Sequence, residues 1–170
     1  MLDPQRIGLK IEKVISMQRV TNCILLNEGH ILLLKKPSRG WYAIPGGKME
    51  QGETIKESVT REFREETALE LEDPKLMGAF TFNVYSNKEL LQEWMMFTFI
   101  CDTFKGELAE VCREGELVWV PQDQVHTLPM AEGDRSIYKH ALHSKGMLYG
   151  SFDYTDQYSL IEMRLDPSGY

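Results

Sequence analysis

GGKMEQGETIKESVTREFREETAL, residues 46–69, decides the fold. Thr54 followed by Glu57 is a T-x-x-E capping box, so a helix is predicted to begin at Ile55 and to run to about Thr67. Ile55, Val59 and Phe63 form its apolar stripe. Glu62 and Glu66, four residues apart, project beside that stripe, while Glu57, Thr60 and Arg64 take the solvated side. Two carboxylates therefore stand where a core helix wants apolar side chains. That placement is costly unless a cation or a wet cleft meets them.

An acidic run on a helix is ordinarily a solvated face. Three features argue against that reading here. Gly46-Gly47 precedes the helix across a tight polar loop, where backbone comes close to a ligand or metal. Glu53 follows Gly47 by six residues, and Arg61 lies beside the carboxylates as a built-in counter-charge. Gly47, Glu53, Arg61, Glu62, Phe63, Glu65, Glu66 and Leu69 fit G-x5-E-x7-R-E-U-x-E-E-x-G-U, with U a bulky apolar residue. This pattern resembles the signature of the Nudix hydrolases, which cleave a nucleoside diphosphate linked to another moiety. Ala68 stands where that signature has glycine, so the left-handed turn ending the helix carries a modest conformational penalty or takes another form.

The 170 residues, 42% of them hydrophobic, suffice for one substantial core, and a single domain is expected. No apolar run approaches the length of a membrane span, and the N-terminus lacks a signal pattern; a cytoplasmic protein without membrane association is expected. Cys23, Cys101 and Cys112 are odd in number and lack metal-type spacing, which predicts reduced thiols. His30, His126, His140 and His143 form no ligand constellation. A net charge of −7 argues against stable nucleic-acid binding, which needs a basic face. The same charge suits a phosphate substrate only if divalent metal held by the glutamates supplies positive charge.

Residues 1–16 read as an N-terminal extension of unknown role and 17–170 as one domain. Apolar runs at 20–26 and 31–34 flank Asn27-Glu28-Gly29-His30, the pattern of a hairpin. Lys35, Lys36 and Arg39 form a basic cluster that either blunts an edge strand or contacts phosphate. Trp41 and Tyr42 either wall a base pocket or cover the core. Further on, Asp73-Pro74 is a turn, 76–82 a strand and 83–89 a polar loop. The run 94–101, WMMFTFIC, is predicted to be a buried central strand. Next come an acidic connection at 106–115, a short strand at 117–120 and a helical turn at 123–127. A loop carrying Glu132 and Asp134 then leads to a helix at 136–143, and the chain closes with a hairpin around Thr155-Asp156-Gln157.

Over residues 17–165 the order of elements is similar to the MutT-type branch of the Nudix family, above all to the enzymes that destroy oxidised purine nucleoside triphosphates. The resemblance implies an α/β/α sandwich with a mixed β-sheet between helices. It implies that the Gly46 carbonyl, Glu62 and Glu66 hold Mg2+, with Mn2+ a possible substitute and Glu65 as a further ligand or water-orienting group. Glu62 is alternatively the general base, with Arg61 and Glu53 orienting these groups. A loop glutamate commonly joins this metal site, and Glu114 stands in the corresponding place, with Glu116 the competing choice. The reaction implied is attack on a phosphoanhydride, releasing nucleoside monophosphate and pyrophosphate, with Lys36 or Lys48 at the leaving phosphates. A pair of acidic side chains reads the base in the oxidised-purine enzymes. Glu132 and Asp134 are the nearest counterparts here, and Asp134 is alternatively a helix N-cap beside Ser136. Two rival functions remain: a Nudix hydrolase of another diphosphate (ADP-ribose, a dinucleotide or an RNA 5′ end), or a nucleotide-binding regulator without turnover. Oligomeric state is not given by the sequence.

Overall fold

A hairpin starts the sheet. In the computed structural model, which describes residues 16–169, β1 (Gln18–Asn27) and β2 (His30–Lys35) pair antiparallel with Asn27 opposite His30. Glu28 and Gly29 make the two-residue turn at φ 47° and 77°, the left-handed conformation that such tight hairpins need. The extension expected at residues 1–16 lies, but for Ser16, outside the described residues.

The remaining elements are β3 (Tyr42–Ala43), β4 (Gly46–Lys48), α1 (Ile55–Thr67), β5 (Glu70–Leu71), β6 (Lys75–Ser86), β7 (Glu89–Cys101), β8 (Phe104–Lys105) and β9 (Glu116–Pro121). A 3-10 helix (Gln122–Thr127), α2 (Glu132–His143), β10 (Leu148–Thr155) and β11 (Leu160–Asp166) complete the order. The large sheet runs β11-β10-β6-β7-β1-β2-β3, with β4 added against β1 and β9 against β2. It is mixed: β1 lies parallel to β7, and β10 parallel to β6, while the other pairs are antiparallel.

One face of the sheet, carrying Cys23, Leu25, Leu32 and Phe99, packs against Val59 and Phe63 of α1. The other, carrying Ile24, Leu33, Phe80 and Phe152, packs against Ile137 and Tyr138 of α2. This is the α/β/α sandwich. Residues 21–25 are buried continuously because β1 is covered on both faces, so its apolar run does not alternate.

α1 has the predicted bounds and both halves of the capping box: the Glu57 amide donates to the Thr54 hydroxyl at 3.2 Å, and the Thr54 amide to Glu57 Oε2 at 2.8 Å. Ala68 ends it at φ 63°, ψ 4°, its amide donating to the Arg64 carbonyl. The left-handed turn thus forms without glycine, at a cost of about 1 kcal/mol.

Two expectations are corrected. Residues 83–89 are not a polar loop: β6 and β7 continue to Ser86 and Glu89, and only Asn87 and Lys88 turn, both at positive φ. The polar residues there belong to a long, partly exposed hairpin, for which alternation was the signal. The second helix begins at Glu132, not 136, because Gly133 permits close packing: a Cβ there would lie 2.6 Å from the Tyr154 hydroxyl, to which the Gly133 amide donates. Ala131 therefore stands at the N-cap and Asp134 is inside the first turn, which removes Asp134 as an N-cap.

Candidate active site

β4 is the point of closest approach. It pairs with the middle of β1, Gly46 opposite Asn22 and Gly47 opposite Thr21, so tightly that a Cβ on Gly46 would lie 2.1 Å from the Thr21 carbonyl oxygen. Glycine is required here by contact. The helix comes down on the same two residues: the Gly46 amide donates to Glu66 Oε2 at 2.8 Å, and a Cβ on Gly47 would lie 2.2 Å from Glu62 Oε2. On the sheet side of α1, Ser58 and Thr21 share a buried hydroxyl hydrogen bond of 2.8 Å that fixes helix against strand.

Arg61 ties the acidic cluster together. Its Nε and Nη2 donate to the two oxygens of Glu53, at 2.5 and 3.0 Å, the fork-to-carboxylate geometry that lysine cannot make. Its Nη1 donates to Glu62 at 2.8 Å and to Glu65 at 3.4 Å, and Nη2 also reaches the Lys48 carbonyl at 3.1 Å. The guanidinium hydrogen bond, followed by that from the Glu50 amide, lowers the Glu53 carboxyl to about 2. The same bond from Glu53 raises the Arg61 pKa further.

Glu66 is different. It is 9% exposed, and burial lifts its carboxyl to about 7 against the opposing effects of the Gly46 amide and Lys36. Lys36 and Glu114 form an ion pair at 2.9 Å beside it, and the lysine holds Glu114 below the usual carboxylate range. Glu114 is thereby placed within electrostatic reach of Glu66, as is Glu62.

Among the described residues, no three acidic, imidazole or thiol side chains form a ready metal cage in this conformation, with Arg61 engaging Glu62 and Glu65. The donor set nonetheless fits a hard divalent cation. It is made of carboxylate and carbonyl oxygens, and burial raises the carboxyl of Glu66 to about 7, so that a cation would compete with a proton there.

The residues proposed for substrate are dispersed. Trp41 is half-buried, with the Arg39 guanidinium 5.3 Å from its ring centre and 4.5 Å from that of Tyr158 in the β10–β11 turn. Tyr42 packs on the core and donates its amide to the Pro129 carbonyl. Lys48 is exposed. Glu132 is exposed and lies 3.5 Å from Arg135. Asp134 is enclosed enough that burial raises its carboxyl to about 7, and it adjoins Tyr138.

Sequence reasoning gave no role to Asn22 and Thr98. They are register partners on β1 and β7, on the sheet face shared with Met96, and both are buried. Asn22 donates to the Met96 sulfur at 3.1 Å, but Asn22 Oδ1 and Thr98 Oγ1 have no hydrogen-bond partner among the described residues, and neither does the Tyr138 hydroxyl. Buried polar atoms without partners are uncommon and demand a reason. The available signal was a polar side chain at an inward position of a buried run.

Comparison with known proteins follows the same lines. The family described as NUDIX domain matches residues 17–141. The uncharacterized Nudix hydrolase YvcI of Bacillus subtilis is 45% identical over 151 residues, covering 89% of this chain and 96% of its own. The crystal structure of the MutT protein from Bacillus halodurans superposes with a TM-score of 0.88 at 47% identity, covering 90% of this chain and all of the other. The oxidized purine nucleoside triphosphate hydrolase of Danio rerio is 28% identical, over 86% of this chain and 93% of its own. Nudix hydrolases generally use divalent metals such as Mg2+ and bind small nucleotide substrates. The chain belongs to this family: it is a Nudix hydrolase of the MutT type, an enzyme acting on phosphoanhydride bonds.

Proposed function

We propose that the chain is a Mg2+-dependent pyrophosphohydrolase of purine nucleoside triphosphates, favouring oxidised purines such as 8-oxo-dGTP and releasing the monophosphate and pyrophosphate. Its role is then sanitation of the nucleotide pool, in the cytoplasm, by a domain spanning residues 17–170 that has no stable contact with nucleic acid or membrane. The observation that carries the chemistry is the convergence of Glu62 and Glu66 on the Gly46-Gly47 backbone, with Arg61 binding the neighbouring carboxylates. The Danio rerio relative, by its name, supports the choice of base.

The Gly46 carbonyl, Glu62 and Glu66, with Glu65 and Glu114 close by, would hold Mg2+ or Mn2+. A divalent ion there supplies neutralisation of the phosphate oxygens whose charge otherwise repels a nucleophile. Arg61 orients Glu62 by donating to its carboxylate, and Glu53 fixes Arg61 in turn. Where Glu62 instead leaves the ion to the Gly46 carbonyl, Glu66 and Glu65, it takes the proton of an attacking water. Lys36, released from Glu114, and Lys48 meet the departing phosphates. On the other side of β4, Asn22 and Thr98, with polar atoms unpaired among the described residues, and Asp134, with its carboxyl raised to about 7, meet the base edge. Trp41, already under the Arg39 guanidinium, bounds that side.

The test is kcat/KM for 8-oxo-dGTP, dGTP, 2-hydroxy-dATP and ADP-ribose, with Mg2+ and with EDTA, identifying the products. Metal-dependent preference for an oxidised purine triphosphate with pyrophosphate released is expected. Similar weak turnover of all four substrates would discard the base assignment.

A further inference from the structure

The sheet ends at β11, which pairs among the described residues with β10 alone. Its seven residues are LIEMRLD, and Ile161 and Met163 are 57% and 36% exposed. An open edge of this kind is a template for another strand unless charge or shape blocks it. Glu162 and Arg164 are the charges on it, and they sit at adjacent positions of one sheet face. Neither forms an ion pair among the described residues. Within the hairpin, Glu162 lies directly opposite Asp153, a like-charge pairing that costs stability.

The order of residues is self-complementary. Turned antiparallel about a two-fold axis at Met163, a second copy of β11 sets Arg164 against Glu162 and Glu162 against Arg164. Ile161 then falls at the level of Leu165, and Met163 meets itself. The central pairs are attractive, only Leu160 against Asp166 at the two ends contributing nothing, and each Glu162, otherwise beside Asp153, acquires a cation. We propose that β11 is a homodimerisation edge: two copies of this chain join antiparallel through 160–166 into one continuous sheet. The contact is isologous, so it closes at two copies and does not propagate into fibres. A seven-residue strand buries less than the roughly 1,200 Å2 of a tight interface, so association in the micromolar range is expected.

The test uses the full chain in sedimentation equilibrium at micromolar to sub-millimolar concentration, with thermal melts to verify folding. The wild type is expected to dimerise. Glu162→Arg or Arg164→Glu alone places two like-charge contacts at the axis and should weaken association at least about tenfold. The double variant E162R/R164E restores opposite charges and should restore the dimer. A wild type monomeric throughout, a dimer indifferent to both single reversals, or a double variant no better than the singles overturns the proposal.

Discussion

The two sides of β4 are built on opposite terms. On the α1 side, Arg61 spends its donors on Glu53, Glu62, Glu65 and a carbonyl, and the cluster is satisfied before any ligand arrives. On the α2 side, Asn22, Thr98 and Tyr138 carry buried polar atoms without partners among the described residues, and burial raises the Asp134 carboxyl to about 7. A satisfied network holds catalytic groups in place at low reorganisation cost. An unsatisfied one rewards only the ligand that completes it. On the function proposed above, reaction belongs to one side of the strand and discrimination to the other.

The largest expected effect tests the first half. Glu62→Gln or Glu66→Gln should fold and lose about 10²–10⁴-fold in Mg2+-dependent kcat; near wild-type turnover of either purified variant would remove the proposed site. Next, Arg61→Lys keeps the charge but not the fork, and should weaken metal affinity or activity by about 10–100-fold, read by titrating Mg2+ against rate. The second half is sharpened by Asn22→Leu and Asp134→Asn. Each should change the ranking among purine triphosphates by about tenfold while turnover of a poor substrate moves little; an unchanged ranking discards that residue as a base reader.

A smaller effect lies in the pH dependence of metal-free stability. The native Asp134 carboxyl titrates near 7 and the unfolded one near its ordinary value of 3.8, so the unfolded state loses its proton first as pH rises. Stability from this group is therefore full below about pH 4, declines up to about 7 and is flat beyond it, and Glu66 acts in the same sense. Asp134→Asn should flatten part of that decline and gain about 1 kcal/mol at pH 8, measured by urea unfolding; an unaltered slope between pH 4 and 7 contradicts the burial argument.

The helix and its glutamates were legible from sequence because capping, apolar spacing and the Gly-Gly approach all bear on residues 46–69, which are local. The first hairpin was equally local. The start of α2 was not, since it depends on Gly133 meeting Tyr154, 21 residues later in the chain. The full reach of β6 and β7 was hidden because polar residues in a long hairpin look like a loop. Asn22 and Thr98 escaped for another reason. Their significance lies in partners they lack among the described residues, and that becomes visible only once β1 and β7 are side by side.

The hydrogen bond from the Gly46 amide to Glu66 also makes one proton a gauge of the centre. An amide bound to a carboxylate resonates at unusually low field, and it shifts when that carboxylate is neutralised. In a nitrogen-15 spectrum the Gly46 cross-peak should therefore move as pH passes about 7, and again on addition of Mg2+. That would report occupancy of the centre in a non-turning-over enzyme, one nucleus at a time.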